Sequence, residues 1–418
     1  MTTNGRPRVL ILGGGFAGVG AAQKLKDASA EVVLVDRHDY HTFQPLLYQL
    51  ATGLLETTAV GHSLRDLLAE HNTTIHKASV TGIDLDSREV RFDEIDPIGY
   101  DYLVYGLGAE VNFFGTEGAA EHAFPMYTLP HAVRLKDHLL ERWDAADRDP
   151  SVIDDGALNV VVVGGGPTGV ETAGAVAELY RGVFAKDYPT ISEKQARVIL
   201  VEAGPELFGM FKPKLREYAT KALEKRTVEV KTGEIVSSVR ATRVTLKAGE
   251  TLQAHTLVWG AGLQGNQIVQ NLGVELQRGN RIGVGPDLAM PGHPEVSVLG
   301  DAAAIVDEKT QQVLPQLGSV ALQSGEHAGE TIARRIEGKD AKSFEYHDKG
   351  TMATIGRGAA VVQMLRGRTM TGKKAQVAWG AVHLALLPTN EDRAKAVVDW
   401  AGATLTHQRV GRITVGSE

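Results

Sequence analysis

The stretch Val160–Glu171, Val-Val-Val-Val-Gly-Gly-Gly-Pro-Thr-Gly-Val-Glu, decides the fold of this 418-residue chain. A near copy, Val-Leu-Ile-Leu-Gly-Gly-Gly-Phe-Ala-Gly, occupies Val9–Gly18. In each copy a β-branched apolar run ends in glycines at the GxGxxG spacing and continues into an alanine-rich helical pattern. Both copies therefore predict a strand, a tight turn and a helix. The spaced glycines are Gly13, Gly15 and Gly18 in the first copy and Gly164, Gly166 and Gly169 in the second.

This pattern is typical of dinucleotide-binding loops. The first glycine makes the turn, the second lets the backbone approach a pyrophosphate, and the third lets the helix pack closely on the strand. An acidic residue at the end of the next strand accepts hydrogen bonds from the ribose, and Asp36 and Glu202 end such strands here. A plain glycine turn and a solvated strand end are the alternatives. Glu202 would repel a 2′-phosphate, so the second site is predicted to prefer NADH to NADPH.

Composition describes an ordinary folded protein. The chain is long enough for two or three domains, and 43% hydrophobic and 23% charged residues are typical globular values. A net charge of −7 gives no sign of a nucleic-acid partner. Met1–Pro7 is a short polar tail and no apolar run reaches the ~20 residues that span a bilayer, so a cytoplasmic protein is expected. The 14 histidines show no ligand spacing, and no metal site is predicted.

The segment His41–Gly53 carries a more specific motif. Periodicity alone predicts a loop leading into a buried helix. Its Phe-x-Pro-Leu-Leu-Tyr-x-x-Ala-x-Gly pattern, from Phe43 to Gly53, resembles the type II NADH dehydrogenases, single-subunit flavoenzymes that pass electrons from NADH to a membrane quinone. The resemblance covers nearly the whole chain and implies FAD and NADH as the two nucleotides, with this segment beside the isoalloxazine ring. Because the chain contains no cysteine, a redox dithiol is excluded and the acceptor must meet the flavin directly.

Further motifs extend the resemblance. Gly106-Leu107-Gly108 keeps the last glycine of the family's Ala-Thr-Gly, and Trp259-Gly-Ala-Gly262 matches the strand end where the chain leaves the NADH domain. Asp301, in a Gly-Asp turn after an apolar strand, is expected to accept a hydrogen bond from the ribityl chain. The residues predicted to bind the nucleotides are Gly13, Gly15, Phe16, Ala17, Gly18, Asp36, Arg37, Pro45, Val80, Gly108, Asp301, Ala321, Gly164, Gly166, Gly169, Glu202 and Gly262.

Three residues are predicted to act in catalysis. Glu171 follows the second glycine loop, where a helix N-terminus favours an acid. In the resembled family a glutamate here borders the passage between nicotinamide and flavin. The family's Ala-Gln-x-Ala-x-Gln keeps its second glutamine as Gln323, but Ser319 replaces the first. A serine is too short to make the same hydrogen bond without water, which weakens the case for quinone.

The part of the chain after residue 341 is locally basic, while the remainder is acidic. It contains two apolar stretches, Val377–Leu387 and Ala394–Leu405, and its family pattern runs through Trp379 and Trp400 to Arg409. In the resembled family such helices contact the membrane and a partner subunit. Helices packed on their own domain are the alternative, because an apolar stripe also marks a core-facing helix.

Together these observations predict an α/β protein with two Rossmann-like, glutathione-reductase-like domains and a C-terminal membrane or dimer-interface region. The expected boundaries are 1–122 with 263–340 for FAD, 123–262 for NADH and 341–418 for the interface region. The predicted function is non-proton-pumping transfer of a hydride from NADH to FAD and then of two electrons to a menaquinone- or ubiquinone-type acceptor. A homodimer is expected, cytoplasmic or peripheral on the inner face of the cell membrane.

Two alternatives stay open. One is a soluble NADH-dependent flavin oxidoreductase with an acceptor other than quinone, which Ser319 favours. The other is an NADH-responsive flavoprotein that acts through a partner.

Overall fold

The computed structural model describes residues 5–406, which form two compact units. The first unit contains the chain up to Thr42, Gly61–Glu110 and Leu263–His347. The second contains Phe43–Val60, Val111–Gly262 and the chain from Asp348 onward. Arg409 lies outside the described residues. The predicted domain boundaries stay a prediction.

The strands are numbered in chain order. They are Arg8–Leu12 (β1), Glu31–Asp36 (β2), Tyr40–Thr42 (β3), Gly61–Ser63 (β4), Thr73–Lys77 (β5), Val80–Asp84 (β6), Glu89–Phe92 (β7), Ile98–Gly99 (β8), Tyr102–Tyr105 (β9), Ala109–Val111 (β10), Phe124–Pro125 (β11), Val160–Val163 (β12), Val198–Glu202 (β13), Val228–Thr232 (β14), Val236–Arg240 (β15), Arg243–Leu246 (β16), Thr251–Gln253 (β17), Thr256–Trp259 (β18), Leu263–Gly265 (β19), Leu276–Gln277 (β20), Arg281–Gly283 (β21), Ala289–Met290 (β22), His293–Val298 (β23), Ala303–Ala304 (β24), Val306–Asp307 (β25), Gln312–Val313 (β26), Thr351–Gly356 (β27), Ala359–Gln363 (β28) and Thr369–Thr371 (β29).

The α-helices are numbered in the same way. They are Phe16–Lys24 (α1), Leu47–Ala51 (α2), Leu64–Leu67 (α3), Ala119–His122 (α4), Leu129–Arg148 (α5), Pro167–Leu179 (α6), Ala185–Asp187 (α7), Pro213–Glu224 (α8), Gly318–Ile336 (α9), Gly372–Leu386 (α10) and Asn390–Thr406 (α11). A π-helical turn, Tyr180–Phe184, extends α6. Within the described range, no helix is both long and apolar enough to cross a bilayer.

A six-stranded sheet in the order β22-β23-β9-β1-β2-β5 forms the centre of the first unit. All its pairs are parallel except β22 with β23. Strand β1 lies in the middle because its four apolar residues are fully buried, as expected for a parallel strand covered on both faces. Helix α1 packs on α9 on one side of this sheet.

The second unit contains a five-stranded parallel sheet in the order β11-β18-β12-β13-β14. Its central strand β12 carries the second glycine loop, as β1 carries the first. In both sheets the strand with the loop pairs directly with the strand that ends in the acidic residue. The predicted α/β fold with two Rossmann-like sheets is thus confirmed.

Some predicted elements differ in extent. The amphipathic pattern of Pro125–Trp143 predicts a helix, and the polar, acidic stretch Asp144–Asp155, which contains Pro150, predicts an exposed connection. In the structure this helix is α5, which begins at Leu129 and continues to Arg148, through the first part of the expected connection. It begins there because Thr128 accepts a hydrogen bond from the His131 amide and His131 accepts one from the Thr128 amide. The two apolar C-terminal stretches are helices, α10 and α11.

Candidate functional site

The first glycine loop has the close contacts that its sequence predicts. Gly13 has a φ of +98°, and a Cβ there would lie 2.3 Å from the Gly106 carbonyl oxygen. A Cβ on Gly18 would lie 1.8 Å from the Gly13 carbonyl oxygen. Gly15 differs, because a Cβ there would meet nothing within 4 Å. The loop is therefore packed tightly on the protein side and open at the glycine that would face a pyrophosphate, which fits a dinucleotide.

Two side chains hold this loop. The Asp36 Oδ2 accepts a 2.6 Å hydrogen bond from the Gly14 amide, and its Oδ1 accepts one of 2.7 Å from the His38 amide. His41 Nδ1 lies 2.9 Å from the Gly14 carbonyl oxygen. Because a carbonyl oxygen only accepts, Nδ1 carries the proton and donates. Burial lowers the pKa of His41 to about 4, so its ring is neutral at pH 7.

Helix α9 brings other predicted FAD residues to the same place. A Cβ on Gly325 would lie 2.0 Å from the Ala17 carbonyl oxygen, so this glycine lets α9 pack against α1. A Cβ on Gly300, next to Asp301, would lie 3.1 Å from the Ala321 Cβ and 3.6 Å from that of Ala17. Three segments distant in sequence therefore meet beside the first loop.

The second loop repeats this geometry in the second unit. Gly164 has a φ of +112°, a Cβ on Gly169 would again lie 1.8 Å from the carbonyl oxygen of the first loop glycine, and Gly166 again faces open space. Glu202 Oε2 accepts a 2.5 Å hydrogen bond from the Gly165 amide, and Oε1 accepts one of 2.5 Å from the Gly204 amide. The N-cap residue of α6 is Gly166, which has no side chain to cap the helix. These residues fit a second dinucleotide.

Glu171 is buried between α6 and β27. Gly174 allows the close approach, because a Cβ there would lie 2.1 Å from the Ile355 carbonyl oxygen. The Thr354 amide, on the same strand, donates a 3.0 Å hydrogen bond to Glu171 Oε1. Burial raises the pKa of Glu171 to about 8, although that hydrogen bond opposes the shift. The side chain is therefore mainly a neutral carboxylic acid at pH 7.

Glu171 lines a cavity of 910 Å³ within the second unit. One face of α6 and the turn that extends it forms a wall, since Glu171, Ala175, Glu178 and Gly182 follow one another at helical spacing. The remaining lining residues come from the same turn, the segment after Phe43, the residues that follow α8, strand β27 and the residue after it, and helices α10 and α11. They are Tyr48, Gln49, Leu54, Arg181, Val183, Lys225, Arg226, Thr354, Gly356, Arg357, Gln376, Val377, Trp379, Gly380, Ala381, Leu384, Val397, Trp400 and Ala403.

A hydrogen-bonded series lies on the same cavity wall. The Trp400 indole Nε1 donates to Gln49 Oε1 over 2.7 Å, and Gln49 Nε2 lies 2.7 Å from the Tyr48 hydroxyl. Because an indole only donates, the orientation of the Gln49 amide is fixed, and Nε2 must donate to the tyrosine oxygen. The tyrosine hydrogen is thereby directed to another acceptor. The predicted motif segment thus places a phenol in the same cavity as Glu171.

The other two predicted catalytic residues lie on α9 in the first unit. The Ser319 hydroxyl lies 2.9 Å from the Tyr346 hydroxyl. Both polar atoms of Gln323 bond the His347 backbone, Nε2 to the carbonyl oxygen over 3.1 Å and Oε1 to the amide over 3.0 Å. The structure therefore brings Ser319 and Gln323 to one helix that holds the segment at residues 346–347.

The remaining predicted residues are distributed over both units. Arg37 and Val80 lie in the first unit, at the end of β2 and the start of β6. Gly108 and Gly262 both have left-handed backbone, with φ of +68° and +69°. Pro45 and Gly262 belong to the second unit. The nucleotide-binding roles of these residues stay predictions.

Three residues that shape the Glu171 cavity could not be picked out from the sequence: Gly174, Thr354 and Gln49. Gly174 approaches Ile355 closely, and Thr354 and Gln49 form hydrogen bonds to residues far away in the chain. Gly174 left a local signal, since a glycine inside a helical pattern often marks a close packing contact. Thr354 left none, because it acts through its backbone amide.

A family match, similar sequences and a similar solved structure agree with one another. Residues 7–325 match the pyridine nucleotide-disulphide oxidoreductase family. The chain is 33% identical over 432 residues to the type II NADH:quinone oxidoreductase NdhA of Mycobacterium tuberculosis, covering 99% of this chain and 90% of that protein. It is 31% identical over 379 residues to the type II NADH:quinone oxidoreductase of Staphylococcus haemolyticus, covering 88% and 92%. The structure of NDH2 from Plasmodium falciparum in complex with NADH has the same fold, with a TM-score of 0.91 at 18% identity over 98% of this chain and 100% of that one.

Proposed function

Because the chain belongs to the type II NADH:quinone oxidoreductases, within the pyridine nucleotide-disulphide oxidoreductase family, we propose that it oxidises NADH and reduces a quinone with FAD as cofactor. The observation that carries the proposal is the pair of glycine loops, each packed on the protein side and open at its middle glycine. Two such loops are what an enzyme with two dinucleotides needs. When bound, FAD accepts a hydride from NADH and delivers two electrons to the acceptor.

The protein contributes binding and orientation. The first loop, with Asp36 and His41 holding its backbone, is proposed to bind FAD together with Asp301 and the α9 residues. The second loop and Glu202 are proposed to bind NADH. Both oxygens of Glu202 accept backbone amides, so the carboxylate is fixed beside the loop with its charge in place to disfavour a 2′-phosphate.

We propose that the cavity end near Glu171 and Tyr48 faces the reacting partners. Quinone reduction consumes protons, and a carboxylic acid with a pKa of about 8 holds one at pH 7, while the Tyr48 hydroxyl is a hydrogen-bond donor. The fixed Gln49 amide orients the phenol. Ser319 and Gln323 are proposed for the acceptor side in the first unit, where Gln323 would exchange its bonds to the His347 backbone for a ligand.

Helices α10 and α11 are proposed to lie on a membrane. They expose apolar side chains to solvent, with Val377 72% and Val398 68% exposed, beside the exposed Lys373 and Lys374 at the start of α10. An apolar surface flanked by lysines suits an anionic membrane interface, from which a quinone can be drawn. The inner face of the cell membrane and a homodimer are proposed on the family resemblance.

The competing function is reduction of a water-soluble acceptor, which the replacement of a glutamine by Ser319 favours. An anaerobic stopped-flow experiment separates the two. The purified flavoprotein is mixed with NADH and then with a water-soluble quinone, while flavin absorbance is followed. Fast bleaching by NADH and fast recovery with quinone are expected. Bleaching without recovery rejects quinone as the acceptor, and no bleaching rejects the NADH site.

A further inference from the structure

The end of the cavity remote from Glu171 is basic. Glu178 lies seven residues further along the same helix, about 10 Å away at 1.5 Å per residue. Around it the cavity is lined by Arg181, Lys225, Arg226 and Arg357. Glu178 Oε1 accepts a 2.9 Å hydrogen bond from Arg226 Nε and one of 2.5 Å from the Arg357 amide. Arg226 is therefore neutralised by Glu178.

The other three cations have no such compensation in the described part of the chain. Arg181 Nη1 donates to the Lys225 carbonyl oxygen over 3.4 Å, and Arg357 Nη2 donates to the Ala403 carbonyl oxygen over 2.8 Å. A carbonyl acceptor orients a guanidinium but does not cancel its charge. All three side chains are exposed, so this group of Arg181, Lys225 and Arg357, here the basic mouth, is available to an anion.

Much of the remaining cavity lining is apolar and is called here the apolar wall. It includes Ala175 and Val183 from α6 and the turn that extends it, and Trp379, Leu384 and Val397 from α10 and α11. Val377 and Val397 also belong to the exposed apolar surface of α10 and α11, with Val397 46% exposed. The cavity thus continues directly into the surface proposed to face the membrane.

We propose that the basic end of this cavity binds one anionic phospholipid, with its phosphate at the basic mouth and an acyl chain along the apolar wall formed with α10 and α11, so that the Glu171 end stays available to the reacting partners. A quinone is uncharged and gives the basic mouth nothing to bind, whereas guanidinium groups match phosphate oxygens in geometry and charge. Continuity with the exposed helices favours a lipid of the bilayer over a free fatty acid. The inference rests on the proposed membrane contact but not on the proposed reaction.

Tryptophan fluorescence tests this inference directly. Trp379 and Trp400 line the cavity, while the other two tryptophans, Trp143 and Trp259, are buried elsewhere in the unit. The full-length flavoprotein is titrated with vesicles of brominated phosphatidylglycerol or brominated phosphatidylcholine, since bromine quenches indole fluorescence on contact. Quenching by the phosphatidylglycerol at low lipid concentration is expected, with little quenching by the phosphatidylcholine.

Charge variants locate the site. The triple variant R181Q/K225Q/R357Q should bind the brominated phosphatidylglycerol about 100-fold more weakly, because each basic residue near an anionic lipid contributes about fivefold. The matched control K194Q/K214Q/K247Q removes the same charge from exposed lysines of the same unit that do not line the cavity. It should retain quenching within about threefold, given the small effect of distant surface charges.

Three outcomes overturn the inference. Equal quenching by both lipids removes the requirement for an anionic head group. Equal loss in both triple variants shows general surface attraction instead of a site. Equally strong quenching by a brominated fatty acid, lost in R181Q/K225Q/R357Q, identifies a free carboxylate as the occupant. NADH oxidation with a water-soluble quinone, measured on the same samples without lipid, reports on the proposed reaction separately.

Discussion

The two glycine loops are closely similar in sequence, backbone angle and steric contacts, yet the helices that follow them pack differently. After the first loop, α1 packs on α9, with Gly325 close to Ala17. After the second, α6 presents a stripe of side chains, among them Glu171, to a cavity of 910 Å³. The same loop pattern therefore does not determine how the following helix packs, since α1 is closely approached by α9 at Gly325 whereas one face of α6 lines a cavity.

The largest expected effect comes from the third glycine of each loop. In Gly18→Ala and Gly169→Ala the new methyl group would lie 1.8 Å from a backbone oxygen, so each loop must deform. Gly18→Ala should retain less than about one tenth of the flavin, whereas Gly169→Ala should keep its flavin and raise the KM for NADH at least about 100-fold. Flavin absorbance per protein and steady-state kinetics measure the two effects.

A matched control is Gly209→Ala, since a methyl group there meets nothing within 4 Å. It should bind both nucleotides normally. Equal flavin loss in Gly18→Ala and Gly169→Ala would show that the two loops do not have separate roles.

The second prediction concerns the burial of Glu171, which has no counterpart in the first unit's loop. Its pKa is raised to about 8, so the folded protein keeps a proton that the unfolded chain releases above about pH 4.3. The contribution of the Glu171 side chain to the free energy of unfolding is therefore fully present below pH 4.3 and is lost as the pH rises to about 8. When the pH is raised from 5 to 8, the free energy of unfolding should therefore fall less in Glu171→Gln than in the wild type, and the difference should be up to about 4 kcal/mol. Denaturant unfolding at the two pH values measures this difference, and equal losses would contradict the prediction.

A smaller effect is expected on the tyrosine side of the cavity. Trp400→Phe removes the donor that fixes the Gln49 amide, so the Tyr48 phenol loses its fixed partner. The KM for quinone should rise about fivefold, the value of one hydrogen bond, with the KM for NADH unchanged.

Trp379→Phe is the aromatic control for this variant. Its indole nitrogen has no partner among the described residues, so the variant changes ring contacts, with His383, Tyr48 and Trp400, and removes no hydrogen bond. An equal rise in quinone KM in both variants would assign the effect to lost aromatic packing.

Both loops could be predicted from the sequence because the residues that form each loop lie close together along the chain. Asp36 and Gly14 are 22 residues apart, so the spacing between the glycines and the acidic residue is enough to predict the geometry of the loop. The predicted end of α5 was wrong because the contacts that stabilise its last turns come from residues farther along the chain. Its last turns are polar and resemble a loop, but Tyr188 and Thr190 donate hydrogen bonds to Asp144 and Asp147 and stabilise them as helix.

The candidate site beyond the loops could be predicted only in part. The helical position of Glu171 followed from its motif, but its environment depends on a backbone amide of β27 that no side-chain pattern encodes. The same holds for Gln323, whose amide is occupied by the backbone of His347. Residue identity indicated which side chains matter, while pairing between distant backbone segments determined their state.

The hydrogen bond between Glu171 and Thr354 joins residues 183 positions apart, and this has a consequence for the order of folding. Closing a flexible loop of that length costs about 5 kcal/mol of chain entropy, so such contacts form late, after local turns and helices. We expect the second glycine loop to form before β27 docks at Gly174. An intermediate that already has its nucleotide loop would then still have Glu171 ionised in water, and proton uptake by this carboxyl would accompany the final docking step.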